Sequence, residues 1–201
     1  MSVKGKKRGR PAANDSAQRS ALSAEHILTT AKSLMREQGK MPSIRVLAGA
    51  LDVDAMAIYY YFKNKQALQT AICQSLIEEI YHPETPPHHD DWQLHLHALC
   101  VSYLTLLGTY AGLLDTFLSM PDGGPAHVFI GRFEQIIAPL GLSGSASTDA
   151  LHLLVDYLHG FAHAQSCAIS APSHDDPSVA TLSIAMMEGP FNLYCKMLTQ
   201  L

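Results

Sequence analysis

The sequence predicts an all-α protein, with a small N-terminal three-helix domain followed by a larger C-terminal helical bundle. Apolar residues recur at intervals of three and four along most of the chain, and no alternating run is long enough for a strand. The charged residues are also distributed unevenly along the chain. Residues 1–65 hold 12 Lys and Arg against 5 Asp and Glu, and residues 66–201 hold 2 against 13. A basic first third on an acidic remainder indicates one end that meets a polyanion.

Residues 1–22 are polar and rich in small residues, and we expect a disordered basic arm. Its segment Arg8-Gly9-Arg10-Pro11 resembles the AT-hook, in which a glycine lets two flanking arginines lie along the floor of a narrow minor groove. A·T-rich minor grooves attract arginine because they are narrow and strongly negative. The alternative is a flexible tail that binds phosphates without sequence preference.

Residues 23–81 predict four short helices separated by turns. Each helix is preceded by a polar residue suited to its N-cap, and these are Ser23, Ser43, Asp54 and Asn64. Gly39 suits the end of the first helix, and Asp52-Val53 forms the turn between the second and third. The third helix is very short and ends near Tyr61. This arrangement is typical of a helix-turn-helix, whose second helix enters the DNA major groove.

Residues 82–201 predict the helical body. Pro83, Pro86 and Pro87 mark a linker. The expected helices cover about 91–108, 111–119, 126–138, 148–170, 178–188 and 190–200, the fourth capped by Ser147 or Thr148, so that the whole chain has about nine to ten helices. Gly189-Pro190 divides the last two, because glycine ends helices and proline favours their first turn.

Residues 23–81 resemble the DNA-binding domain of the TetR family of bacterial transcriptional regulators. The matching residues are Gly39, Ser43-Ile44-Arg45, Leu47-Ala48, Leu51, Val53, Ala57-Ile58-Tyr59, Tyr61-Phe62-Lys63-Asn64-Lys65 and Leu68. The chain departs from the family pattern where Asp52 replaces the usual glycine, although aspartate tolerates the left-handed conformation. The resemblance implies an all-helical ligand-binding and dimerisation domain at 82–201.

The DNA-binding residues that follow are Arg8, Arg10, Ser43, Arg45, Ala55, Met56, Tyr59, Tyr61, Lys63 and Lys65. The resemblance places Tyr59, Tyr61 and Lys65 on the DNA backbone and brings Arg45 to a base, where arginine pairs with guanine. Ala55 and Met56 can pack on a thymine methyl, and Ser43 and Lys63 suit phosphates. Tyr60 is expected to pack against the first helix.

In the body, the resemblance implies a dimer interface formed by the last long helices, with Leu151, Val155, Leu158, Phe191, Tyr194 and Leu198 as candidates. Amphipathic and aromatic residues suggest a ligand pocket: His97, Tyr103, Tyr110, Phe117, Phe133 and Tyr157. Only Arg132 and Lys196 are cationic after residue 65, which favours a neutral apolar or cationic ligand.

One helical stripe, His152, Asp156, His159 and His163, could place two or three metal ligands together, although a polar edge of a dimer interface has the same pattern. Within the family that the head resembles, tetracycline repressors use a histidine-bound magnesium; the resemblance puts Phe117 at the corresponding place, which argues against that ligand here. We expect no metal and no cofactor.

These observations predict a cytoplasmic, homodimeric, sequence-specific DNA-binding repressor that a small molecule releases from a near-palindromic operator. The protein is not expected to be an enzyme or to span a membrane. Two alternatives remain open: a metal-dependent enzyme that uses the histidine stripe, and an architectural protein that binds DNA without sequence preference.

Overall fold

The computed structural model describes residues 22–120, 124–170 and 183–201, and within these ranges it contains nine α-helices and no strand. The helices are α1 Ala24–Gln38, α2 Ile44–Ala50, α3 Ala55–Tyr61, α4 Lys65–Ile77, α5 Trp92–Thr109, α6 Leu113–Leu118, α7 Ala126–Ile137, α8 Gly144–Ser170 and α9 Glu188–Leu198. The all-α prediction is confirmed. Arg8 and Arg10 lie outside the described residues.

Helices α1, α2 and α3 form the N-terminal head, and α4 leads from it towards the body. All four predicted N-caps accept a hydrogen bond from a backbone N–H of the helix that they precede. Ile27, Leu47 and Ile58 are fully buried, one from each helix of the head. Leu22, which we assigned to the arm, is only 8% exposed and belongs to this core. Its burial moves the start of the head to residue 22.

The body is built around α5, which packs against both α7 and α8. Trp92, Leu96 and Leu99 of α5 are almost completely buried, and Phe133 of α7 is fully buried. Helix α9 follows a short 3-10 turn at Ile184–Met187. None of the helices in the described ranges is long and apolar enough to span a bilayer.

Two predicted helix boundaries in the body are wrong. Helix α8 begins at Gly144 rather than near 148, and Ser143 accepts from the N–H of Ala146 at 3.3 Å. Gly189-Pro190 does not divide two helices, since both residues lie in the first turn of α9. The N–H groups of a first turn have no intrahelical partner, so a proline there removes no hydrogen bond. Residues 178–182 of the predicted helix are outside the described ranges.

Candidate nucleic-acid interface

The turn between α2 and α3 sets the orientation of α3, the helix that the sequence predicts to enter the major groove and that we call the recognition helix. Asp52 has φ of 52°, the left-handed conformation that we expected for this position. The N–H of Val53 donates to the carbonyl of Ala48 at 3.0 Å, and Asp54 Oδ1 accepts from the N–H of Met56 at 2.7 Å. The aspartate at position 52 therefore supports the tight turn that glycine makes elsewhere.

Most of the predicted DNA-binding side chains in the head are accessible. Met56 is 71% exposed and Tyr59 is 40% exposed, while Ala55 is half-buried. Arg45, the second residue of α2, is exposed, as are Lys63 and Lys65 on either side of Asn64. Ser43 is exposed too, but its oxygen already accepts from the N–H of Val46 at 3.3 Å.

The cations of the described head fall into two groups. Lys32 Nζ forms an ion pair with Glu79 of α4, and the guanidinium of Arg36 lies 5.2 Å from the centre of the Tyr110 ring. In contrast, Lys40, Arg45, Lys63 and Lys65 form no ion pair or side-chain hydrogen bond with any residue that the structure describes. Exposed and unpaired cations are available to phosphates and base edges. Three of these four unpaired cations, all but Lys40, are residues that we predicted to bind DNA.

Two of the three tyrosines of α3 differ from our prediction. Tyr60, which we expected to pack against α1, is 86% exposed. Tyr61 is the half-buried one, and its hydroxyl donates to the carbonyl of Leu22. Helix α3 has only seven residues, which is too short for the apolar spacing to show which tyrosine is buried. That choice depends on the neighbouring residues in the folded chain. Tyr60 therefore joins the exposed surface of α3, and the Tyr61 hydroxyl is already used.

Arg132 of α7 holds the end of α4, a contact that our sequence reasoning missed. Its Nη2 donates to the carbonyl of Glu78 at 2.9 Å, and its Nη1 donates to the carbonyl of Ile80, with longer contacts of 3.4 and 3.5 Å to those of Ile77 and Tyr81. The last carbonyls of a helix lack intrahelical partners and carry partial negative charge. A guanidinium stabilises them by donating hydrogen bonds to them and also by its positive charge. In the sequence, the one indication that Arg132 has a special role is that it is one of only two Lys or Arg residues after residue 65.

Further contacts join the same end of α4 to the body. The N–H of Tyr81 donates to Ser102 Oγ at 2.8 Å, and the Tyr81 hydroxyl lies 2.6 Å from His95 Nδ1. Both partners belong to α5. The connection between head and body is therefore held by α5 and α7 together.

A polar pair lies inside the otherwise apolar body. The Tyr103 hydroxyl of α5 is 2.8 Å from His159 Nε2 of α8, and the Tyr103 ring lies 4.9 Å from that of Phe129. Burial raises the pKa of Tyr103 and lowers the pKa of His159, the latter against an opposing effect of Asp156. Both shifts favour the neutral forms, so this is a hydrogen bond between two uncharged groups.

The lowered pKa of His159 predicts a loss of stability in acid. The unfolded chain takes up a proton at this histidine at a higher pH than the folded chain, so protonation favours unfolding as pH falls. We expect the free energy of unfolding, measured in urea at about pH 7.5 and about pH 5, to fall more in the unsubstituted chain than in His159→Gln. Equal losses in the two proteins would contradict this assignment.

The histidine stripe does not form a metal site. Among the residues that the structure describes, no group of three or more His, Cys, Asp or Glu is placed to hold a metal ion. His159 Nε2 is occupied by Tyr103, while His152, Asp156 and His163 point outwards as exposed residues. Helical spacing places these residues near one another, but packing directs His159 towards Tyr103 of α5.

The predicted pocket residues are dispersed. Tyr103, Tyr110 and Phe133 are 5%, 1% and 0% exposed and pack in the core. His97 Nε2 lies 2.7 Å from Glu188 Oε1 at the start of α9, and Phe117 is half-buried. Tyr157 lines a groove on the outside of the body. The Tyr110 hydroxyl is buried and has no hydrogen-bond partner within the described ranges.

The predicted dimer-interface residues face the chain's own core. Leu151, Leu158, Phe191, Tyr194 and Leu198 are all at most 8% exposed, and Val155 is half-buried. The outer faces of α8 and α9 expose a different set, with Leu153 51% and Leu193 71% exposed. Between the two helices lies an apolar groove of about 220 Å³, lined by Leu153, Leu154, Tyr157, Met187, Pro190, Phe191, Leu193, Tyr194 and Met197.

The body of the chain matches a known protein family. The family described as "Tetracyclin repressor-like, C-terminal domain" matches residues 83–201, more than half of the chain. The chain belongs to the TetR family. The resemblance stated for the head is therefore confirmed by a match to the body, which is the other part of the chain.

Relatives and solved structures agree with this membership. The chain is 32% identical to the class C tetracycline repressor protein of Escherichia coli over 90 residues, which make up 44% of this chain and 41% of that repressor. The match thus spans about two fifths of the length of this TetR-family relative.

Two TetR-family structures share the fold over most of their length. Apo ActR of Streptomyces coelicolor has a TM-score of 0.69 at 19% identity, with 89% of this chain and 95% of that chain covered, and ActR has also been solved with actinorhodin. BioQ with its double-stranded DNA operator has a TM-score of 0.66 at 17% identity, with 89% and 98% covered.

Proposed function

We propose that this protein is a dimeric, sequence-specific DNA-binding regulator of transcription, acting as a cytoplasmic repressor that a small molecule releases. The observation that carries the proposal is the unpaired, exposed set Arg45, Lys63 and Lys65 around α3, whereas Lys32, Arg36 and Arg132 are engaged within the fold. Family membership supports it, and so do the operator and ligand complexes of BioQ and ActR.

Direct readout in this proposal comes from a small number of groups. Arg45 offers the paired donors that guanine accepts, and Met56 offers an apolar contact to a thymine methyl. Tyr59 and Tyr60 present hydroxyls that suit phosphates or base edges. Because these groups are few, we propose that Arg8 and Arg10 of the arm add a minor-groove contribution.

The outer faces of α8 and α9 are the proposed dimer surface, in place of the buried residues that the sequence indicated. Leu153, Tyr157, Gly160 and Ala164 follow one another at helical spacing, so small residues of α8 permit close approach of a second copy. Leu193 adds the most exposed apolar side chain of α9. Packing of these faces between two copies would bury the apolar groove and place two heads on a near-palindromic operator.

Leu193→Arg should dissociate the dimer. Two buried arginines related by the two-fold axis would lack acidic partners on this apolar face, so we expect a dimerisation constant about 100-fold weaker. Light scattering after size exclusion gives the mass. The matched control is Leu94→Arg, which replaces a leucine of α5 that is 74% exposed. A Leu193→Arg protein that remains dimeric at low micromolar concentration would refute the assigned surface.

We propose that the effector acts at the Tyr103–His159 pair. Phe129 belongs to α7 and contacts Tyr103 of α5. The same helix α7 carries Arg132 one turn after Phe129. A ligand that displaces the Phe129 ring would therefore move the guanidinium that holds the end of α4. Such a movement changes the separation of the two heads and so their fit to half-sites about one helical turn, or a multiple of it, apart. The scarcity of cations favours a neutral apolar or cationic compound.

Fluorescence anisotropy with labelled DNA from upstream of the protein's own gene tests the central proposal. We expect binding at least about 1,000-fold tighter than to a scrambled duplex of equal length. Equal affinity for both duplexes would instead favour the architectural binder. The proposal assigns no enzymatic activity, no metal and no cofactor.

A further inference from the structure

The point at which the basic arm joins the head is fixed to the recognition helix. The Leu22 side chain is buried in the head, and its carbonyl accepts a hydrogen bond from the hydroxyl of Tyr61, the last residue of α3. The next residue, Ser23, caps α1 by accepting from the N–H of His26 at 3.0 Å. The chain therefore leaves the head from a position set by α1 and α3 together.

Tyr61 is poorly placed for the phosphate contact that the sequence suggested. It is half-buried, its hydroxyl is occupied by Leu22, and its ring is packed edge-on against Tyr60 with the ring centres 5.3 Å apart. Tyr59 and Tyr60 are 40% and 86% exposed, and neither hydroxyl has a partner in the part of the chain that the structure describes. Among these tyrosines, only Tyr61 would have to break a hydrogen bond within the protein in order to reach DNA.

We propose that Tyr61 is a positioning residue that fixes the start of the arm relative to α3, so that the arm and the recognition helix bind DNA as one unit. This inference rests on the proposed function and on the minor-groove role of Arg8 and Arg10. Leu22 lies twelve positions after Arg10 in the chain. A segment of that length reaches about 40 Å when extended, and about 20 Å on average if flexible. Because its effective concentration at the minor groove depends on where it starts, a fixed origin beside α3 favours the groove next to the major-groove site.

A double-mutant cycle in the full-length chain tests the inference. Tyr61→Phe removes only the hydroxyl, and Arg8→Ala with Arg10→Ala removes the arm's groove contacts. If Tyr61 acts through the arm, Tyr61→Phe weakens binding to the upstream duplex by about fivefold in the arginine background. It has no effect when Arg8 and Arg10 are already alanine. Tyr60→Phe is the comparison variant: its hydroxyl does not contact Leu22, and because we assign it to the DNA-binding surface, any loss that it causes should be equal in both arm backgrounds.

The outcomes separate the possible roles of Tyr61. Equal losses in both arm backgrounds would identify Tyr61 as a direct DNA contact and overturn the positioning role. No loss in either background would also overturn it. If the unsubstituted chain fails to distinguish the upstream duplex from a scrambled one, the proposed function fails, and this inference fails with it.

Discussion

Arg132→Met is expected to lower the free energy of unfolding by about 2 kcal/mol, because it removes a partly buried guanidinium from the C-terminal end of α4. The carbonyls of Glu78 and Ile80 would lose their donor, and methionine offers none in return. Urea unfolding followed by circular dichroism measures the change.

Two further variants make this result specific. Arg132→Lys keeps the charge but cannot span several carbonyls with a planar fork, so we expect it to lose about half as much, roughly 1 kcal/mol. Lys196→Met removes the other cation of the body, which is exposed, and should change stability by less than about 0.5 kcal/mol. If Arg132→Met and Lys196→Met change the free energy of unfolding equally, the contacts of Arg132 with the end of α4 contribute nothing to stability.

The same substitution should weaken communication between body and head. Without the Arg132 guanidinium, the end of α4 keeps its contacts to Ser102 and His95 of α5 but loses its contact to α7. We expect the folded Arg132→Met protein to bind the upstream duplex more weakly. Its effector-induced release should also be reduced. Unchanged affinity and release would show that α4 is positioned by α5 alone.

Arg45→Ala combined with Tyr59→Ala is expected to weaken binding to the upstream duplex by about 100-fold or more, while leaving the stability of the head close to its original value. A bidentate arginine–guanine contact accounts for about 1–3 kcal/mol of discrimination, and loss of a backbone contact adds to it. Both side chains are exposed, and neither is an N-cap, so the helices should persist.

Anisotropy with the upstream and scrambled duplexes separates the two contributions in this double variant. Loss of Arg45 should reduce the preference for the upstream duplex, whereas loss of Tyr59 should weaken both complexes to a similar extent. Lys196→Ala, which removes one positive charge from the body, is the charge-matched control and should bind as the unsubstituted chain does. A double variant with full affinity and full preference would refute this assignment of the reading residues.

The features that the sequence alone determined are those governed by residues within a few positions of one another. Ser23, Ser43, Asp54 and Asn64 each cap the helix that they were expected to cap. A cap bonds an N–H two or three residues away, so its geometry is already contained in the local sequence. Asp52 took the left-handed conformation for the same local reason. The all-helical class followed from apolar spacing, which is also a local property.

What only the tertiary structure decided was which face of each helix meets a neighbour. Tyr60 and Tyr61 are adjacent on a short helix, and the presence of Leu22 selected Tyr61. Helices α8 and α9 are apolar on two faces, so the pattern could not separate the core set from the exposed Leu153 and Leu193.

Arg132 shows the same limit most clearly. The sequence revealed an isolated cation, but the carbonyls that it contacts lie more than fifty residues earlier in the chain. Contacts over such separations depend on how whole helices pack, and helix packing is not contained in any local pattern.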